Sequence, residues 1–172
     1  MLPTLRTERL VLRPLVTADA EAMHVALSDV DLMRWWSSAP HRDLEETRAY
    51  VAANAEQADW LTWAITKDGG EALGWVVLGD CRPGVRELGY ILRRAAWGQG
   101  LAREAVSAVL SHGFGEMALR RICADVDPDN HASVALLKTL GFRQEGHLRA
   151  EWETHIGVRD SLIFGLLAGE WR

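Results

Sequence analysis

Two glycines one residue apart, Gly98 and Gly100, stand in the run Trp97-Gly98-Gln99-Gly100-Leu101-Ala102-Arg103-Glu104-Ala105, at the mouth of a stretch patterned as a helix. The first turn of a helix leaves backbone N–H groups unpaired and carries roughly half a positive charge. Glycines remove the side chains that would hold a ligand off those donors. Such a stretch can hold an anion, most naturally a phosphate or diphosphate. Two familiar phosphate loops fit poorly. Leu101-Ala102 follow Gly100 where a Walker loop needs Lys-Ser/Thr, and Arg103 stands where a dinucleotide fingerprint needs Gly or Ala. A tight turn into a helix accounts for the same residues, so the neighbouring elements must decide.

Those elements read in order as β-α-α-β-β-β-α-β-α-β-β. Glu8 to Leu15 alternates charged and apolar residues as a half-buried strand. Thr17 suits the cap of a helix running to about Ser28, and Asp29 to Pro40, with the pair Trp35-Trp36, reads as irregular. Asp43 caps a second helix that ends near Gln57. Trp60–Thr66 and Ala72–Gly79 are strands joined by the turn Lys67-Asp68-Gly69-Gly70, and Val85–Leu92 is the fourth strand. The helix after Gln99 turns Ala102, Ala105, Val106, Val109 and Leu110 inward and stops near Gly115. Arg120–Asp127 is a fifth strand. Asp129 or Asn130 caps a helix that stops at Gly141. Phe142 to about Glu153, bent near Gly146, and Arg159–Leu167 complete the set. The order implies one α/β domain over residues 1–172: a mixed, mostly antiparallel sheet of about seven strands with about four helices on its faces.

Composition narrows the function classes. A net charge of −5 argues against a general nucleic-acid binder. The early charges in Leu5-Arg6-Thr7-Glu8-Arg9 are unlike a signal peptide, and no apolar run is long enough to span a bilayer. These point to a cytoplasmic protein with no membrane or nucleic-acid partner. Cys81 and Cys123 lack metal spacing and read as reduced, and the six histidines are scattered, so no metal is expected. Two adjacent tryptophans cannot both face one core easily, which makes Trp35 and Trp36 candidates for a pocket wall.

Laid out in this order, the chain resembles the GCN5-related N-acetyltransferases (GNAT), and more narrowly their RimJ/RimL-type branch. The resemblance rests on Thr7-Glu8-Arg9-Leu10-Val11-Leu12-Arg13-Pro14-Leu15, Glu87-Leu88-Gly89-Tyr90, Trp97–Ala102, Asn130-His131-Ala132-Ser133, Leu140–Gly146 and Gly157-Val158-Arg159-Asp160. Each is weak alone, but together and in order they cover nearly the whole chain. The resemblance implies an acetyl-CoA-dependent N-acetyltransferase whose fourth and fifth strands splay apart. It places pantetheine along the backbone of Tyr90, Ile91 and Leu92, and pyrophosphate on Trp97, Gly98, Gln99, Gly100, Leu101, Ala102 and Arg103. Trp97 stands where the family usually has Arg or Gln. Asn130 matches the asparagine that contacts the pantetheine arm, and is also a natural helix cap. Leu137 occupies the position of a proton-donating tyrosine in many relatives and cannot donate; RimL-like members use a serine at the Ser133 position.

Amine acylation by a thioester needs an amine stripped of its proton, a donor for the developing oxyanion and a proton or hydrogen bond for the thiolate. Ser133 is the candidate for the thiolate. For the base, Glu87 shares a strand face with Gly89 and Ile91, while the resemblance points to Glu153, with Glu151 beside it on the later strand. Each of these carboxylates also reads as a solvated strand residue, and a water chain can replace a dedicated base. Trp35, Trp36 and the segment around Glu151 are expected to shape the acceptor pocket for a primary amine, either a protein N-terminus or a small molecule. The alternative is a non-catalytic acyl-CoA-binding module of the same fold, and a homodimer is left open.

Overall fold

Strand-forming residues gather into eight strands rather than about seven, because Leu5–Arg6, ahead of the expected run from Glu8 to Leu15, forms a strand of its own. β1 (Leu5–Arg6) and β2 (Val11–Pro14) form a short hairpin. Between them Thr7 turns the chain, its hydroxyl accepting the Leu10 N–H at 2.9 Å. The computed structural model, which describes residues 2–172, continues with α1 (Ala20–Leu27), α2 (Val30–Met33) and α3 (Leu44–Glu56). Thr17 is not the cap of α1: it opens a short 3-10 turn. The Asp19 carboxylate instead accepts the Val16 N–H at 3.0 Å and pairs two-pronged with Arg13 at 2.6 and 2.8 Å. The segment read as irregular holds α2, because Asp29 accepts the Asp31 and Leu32 N–H groups at 3.1 Å each. Asp43 caps α3 as expected, accepting from Glu46 at 2.9 Å.

There follow β3 (Trp60–Thr66), β4 (Gly74–Arg82), β5 (Val85–Leu92), α4 (Leu101–Phe114), β6 (Arg121–Val126), α5 (His131–Thr139), β7 (Arg143–Thr154) and β8 (Gly157–Leu167). One sheet runs β1-β2-β3-β4-β5-β6-β8-β7, antiparallel throughout except for β5 beside β6. Trp63, Val76, Leu78, Ile122 and Phe164 face α4 and α5 in the larger core. α4 contributes Leu101, Ala105, Val106, Val109, Leu110 and Gly113, a helical-period stripe. On the opposite face Ala64, Trp75 and Ile91 pack beneath α1 to α3. That second cluster stops at Ile91. Beyond it the face carries Cys81, Glu87, Cys123, Asp125 and Ser161.

β5 and β6 pair over only three residues, Val85 to Glu87 against Arg121 to Cys123. Past that point Leu88–Leu92 stay paired with β4, and Ala124–Val126 with β8, but not with each other. This is the expected splay between the fourth and fifth predicted strands. Across β5 the backbone of β4 comes very close: a Cβ added at Gly74 would lie 2.1 Å from the Ile91 carbonyl oxygen and 2.8 Å from Leu92 Cα. Backbone cannot yield as a side chain can. Gly74→Ala should therefore destabilise the fold by about 3 kcal/mol or more, the upper end for overpacking, measured by urea unfolding; a midpoint like that of the wild type would contradict the close approach.

Candidate active site

The splay opens into a cavity of about 650 Å³. β5 from Leu88 to Leu92 forms one wall, and β6 from Ala124 to Val126 with the start of α5 forms the other. The Gly-rich loop closes one end; Trp35 and Trp36 stand at another part of the wall. Of the residues singled out from the sequence, Tyr90, Ile91, Leu92, Trp97, Gly98, Gly100, Leu101, Ala102, Arg103, Asn130, Ser133, Trp35 and Trp36 line it. Gln99 does not: it borders a smaller cavity of about 250 Å³ with Lys67, Glu71 and Arg93.

At the loop end, Gly98 and Gly100 have φ of +72° and +74°, a region that favours glycine. A Cβ at Gly98 would meet nothing within 4 Å, so the backbone faces open space. Among the described residues, none of the amides of Gly98 to Arg103 donates to a protein acceptor, whereas the Glu104 N–H closes the first turn on Gly100 at 3.1 Å. The bare donors of the helix start therefore remain available, with exposed Arg103 beside them in no ion pair. The Trp97 indole N–H donates to the Leu92 carbonyl at 2.6 Å, fastening the loop to the end of β5. A tryptophan thus anchors the loop where the family's Arg or Gln was expected.

At the middle of the cavity, Asn130 caps α5, its Oδ1 accepting the Ser133 N–H at 3.2 Å, while the residue also lines the cavity. Arg159 on β8 holds the preceding turn, reaching Asp127 at 2.7 and 2.9 Å and Asp129 at 2.5 Å. Burial opposes ionisation of Asp127, but the Arg159 hydrogen bonds outweigh it and lower its pKa. Leu137 is 1% exposed and belongs to the core. A hydroxyl reaches Ser133 from another element: Tyr90 on β5 donates to Ser133 Oγ at 3.0 Å. Burial pushes the Tyr90 phenol up to about 12, against the opposing effect of its bond with Ser133, so it stays protonated at neutral pH. Leu88, Tyr90 and Leu92 share a strand face toward α5, and that alternation was the available signal.

Toward the uncovered sheet face, Asp125 lines the cavity, a role not foreseen from the sequence. Its carboxylate accepts the Trp152 indole N–H at 2.9 Å and the Ser161 hydroxyl. Glu87, one strand over, is outside the cavity lining but next to it. Its pKa is raised, first by burial of its carboxylate and then by the charge of Asp125, with a Cys81 thiol contact at 3.9 Å opposing. Neither Glu151 nor Glu153 lines the cavity. The β7–β8 register shifts between Leu148 and Trp152, where Ala150 has φ +52°, so simple alternation does not carry through. Trp152, between the two glutamates, is the residue of that segment that reaches β6. Trp36 donates to the Tyr50 hydroxyl at 3.0 Å and leans on Trp75, while Arg34 stacks over Trp35 at 5.2 Å. Arg94, just before the loop, grips Asp29 at 2.6 and 3.0 Å and so ties α2 to the cavity. Among the described residues no group of three or more His, Cys, Asp or Glu is arranged to hold a metal ion, and no helix is long and apolar enough to cross a membrane.

The chain belongs to the GNAT acetyltransferases: residues 9–143 match the acetyltransferase (GNAT) domain model. An uncharacterized N-acetyltransferase, p20, of Bacillus licheniformis is 33% identical over 175 aligned positions covering 98% of each chain. A GNAT-family acetyltransferase from Bacillus anthracis superposes with a TM-score of 0.89 at 27% identity, over 98% of this chain and 100% of that one. A spermidine N-acetyltransferase from Vibrio cholerae, solved with CoA and spermine, has a TM-score of 0.83 at 22% identity, over 95% and 98%. At that identity it bears on the fold alone. The protein is accordingly an acetyltransferase enzyme, and members of this family use acetyl-CoA.

Ala102→Glu would put a carboxylate into the cavity at the helix start, where it suits the helix dipole but opposes a bound anion. CoA affinity should fall at least about tenfold, roughly 1.4 kcal/mol, with the melting temperature unchanged or raised. Calorimetric titration with CoA checks this, and unaltered affinity would remove the loop from the anion site.

Proposed function

We propose that the protein moves acetyl from acetyl-CoA to a primary amine by direct attack in a ternary complex, as an enzyme of the RimJ/RimL-type branch. The observation that carries the reading is the row of undonated amides from Gly98 to Arg103 opening into the gap between β5 and β6. A diphosphate on those amides leaves the pantetheine arm to run along Leu92, Ile91 and Tyr90. Acetyl-CoA would supply the activated thioester and leave as the CoA thiol; the chain's own groups orient it and handle the protons. The β5 edge facing the gap offers backbone N–H groups to the carbonyl oxygen as negative charge develops there.

At the sulfur end Ser133 acts as donor to the departing thiolate. Tyr90 already donates to Ser133 Oγ, which leaves the serine's own proton free to point into the cavity. At the acceptor end the amine enters from the uncovered sheet face. Asp125 receives its ammonium, and Glu87 takes the proton through water. A pKa raised above the ordinary carboxylate range moves Glu87 closer to the working pH of a base. Trp35 and Trp36 wall the acceptor space. A protein N-terminus and a small-molecule amine share this chemistry, and CoA thiol release measured across a panel of both kinds identifies the acceptor. Tight CoA binding with no turnover on any amine would favour the non-catalytic module.

Ser133→Ala should lower kcat by roughly 10²-fold, the usual scale for one general acid, with little change in the CoA Kd; an unchanged kcat would make Ser133 a helix-turn residue only. The base predicts a pH dependence with a definite sign. Glu87 works deprotonated, so kcat/KM should rise with pH through its raised pKa. Asp125→Asn removes a negative charge that raises it, so the acid limb of the profile should move to lower pH. A limb that stays in place would show that Glu87 is not the titrating group.

A further inference from the structure

The turn between β1 and β2 reaches the far end of the cavity and grips the Gly-rich loop. Arg9 Nη1 donates to the Gln99 carbonyl at 2.8 Å. Its Nε and Nη2 reach Glu104 Oε2 at 2.7 and 2.6 Å. The other carboxylate oxygen accepts the Arg9 N–H at 2.9 Å and the Thr7 hydroxyl at 2.5 Å. Burial opposes ionisation of Glu104, but these bonds from Thr7 and Arg9 prevail and hold its pKa below the usual range. Two segments more than 90 residues apart in sequence thus meet at the first turn of α4.

We propose that Arg9, aimed by Glu104, is a positioning residue for the anion cradle: it draws the Gln99 carbonyl out of the loop and so turns the Gly100 N–H into it. The inference rests on the reading of Gly98 to Arg103 as the diphosphate site. The peptide between Gln99 and Gly100 is planar and trans, so its C=O and N–H point in opposite directions. A bond that holds the oxygen toward Arg9 fixes the amide on the cavity side, which Gly100 lines. Glycines at Gly98 and Gly100 give the loop the freedom to rotate that peptide. A rotated peptide would present an oxygen to the diphosphate in place of a donor. The planar guanidinium suits this task because one fork can serve a carboxylate and a carbonyl together.

A competing role for Arg9 is direct attraction of the phosphates. Its charge is matched by the carboxylate of Glu104 at 2.6 Å, so its net field on the cradle is small, whereas Arg103 beside the cradle makes no ion pair among the described residues. The two roles give opposite results when Glu104 is neutralised. Freeing the guanidinium from its carboxylate should strengthen binding if Arg9 acts through charge, and weaken it if Arg9 acts through aim.

The test is the CoA Kd by calorimetry, with steady-state kinetics, for the full chain carrying Arg9→Lys, Arg9→Met, Glu104→Leu and the double substitution Arg9→Met/Glu104→Leu. Each single variant should bind CoA about tenfold more weakly, the scale of one lost charged hydrogen bond. The loss should fall on the KM for acetyl-CoA rather than on kcat. Arg9→Lys should not rescue, since an ammonium has no fork to aim. The double variant should be no weaker than the worse single, because the two residues act as a unit. Affinity unchanged or improved in Glu104→Leu overturns the proposal, as does a double variant that regains wild-type affinity, which would mean that Arg9 only neutralises Glu104. Ala102→Glu separates this failure from that of the site: if it leaves CoA binding intact, the cradle itself is misplaced.

Discussion

The parting of β5 and β6 after three paired residues is the constraint on which the molecule depends. Each strand remains paired on its other side, β5 to β4 over its whole length and β6 to β8 over six residues. The sheet therefore tolerates the gap without losing either half. The cost falls on the facing edges, whose polar groups must find partners other than each other. Part of that demand is met by the protein: the Leu92 carbonyl takes the Trp97 indole. The remainder is a strip of backbone suited to an amide-bearing arm, and the start of α4 lies at its end. One interruption in a ladder thus supplies both the length and the polarity of the binding cleft.

Around this gap the side chains divide by sheet face. The face toward α4 and α5 carries neutral hydroxyls, Tyr90 and Ser133, in hydrogen-bond contact. The opposite face carries carboxylates, Glu87 and Asp125, one strand apart. Strand alternation sets Tyr90 apart from Glu87 on β5, while Ser133 comes from the start of α5. The hydroxyls thus lie on one side of the gap and the carboxylates on the other. Cys81 and Cys123 share the carboxylate face. Burial raises both thiols, with their acidic neighbours adding to it and Cys123 pushed up to about 12.

Most of the fold was legible in the sequence because its signals are local. The α4 stripe, the Asp43 and Asn130 caps and the glycines of the loop each declare themselves within a few residues. The misreadings have equally local causes. Thr7 uses its hydroxyl to turn the chain ahead of the expected strand and so sets off a short strand before it, and Asp29 caps a single turn of helix inside an apparently irregular stretch. The candidate site was legible only where backbone does the work. Tyr90 was noted for its main chain, yet its hydroxyl meets Ser133 across 43 positions. Asp125 reads as an ordinary strand residue until Trp152 and Ser161 are seen to hold it. Glu151 and Glu153 were singled out by the resemblance, and the irregular stretch around Ala150 leaves both outside the cavity lining. Gln99 lies in the Gly-rich loop but borders the smaller cavity. Contacts between distant elements are not visible in residue spacing.

The grip of Arg9 on the start of α4 also bears on how the protein folds. The turn between β1 and β2 is needed at a loop roughly ninety residues later, and Arg159 must arrive from β8 to steady the turn before Asn130. Contacts this far apart form late, after the loops between them have closed. In a chain refolding from denaturant, the Gly-rich loop and the turn before Asn130 should therefore be among the last parts to become fixed.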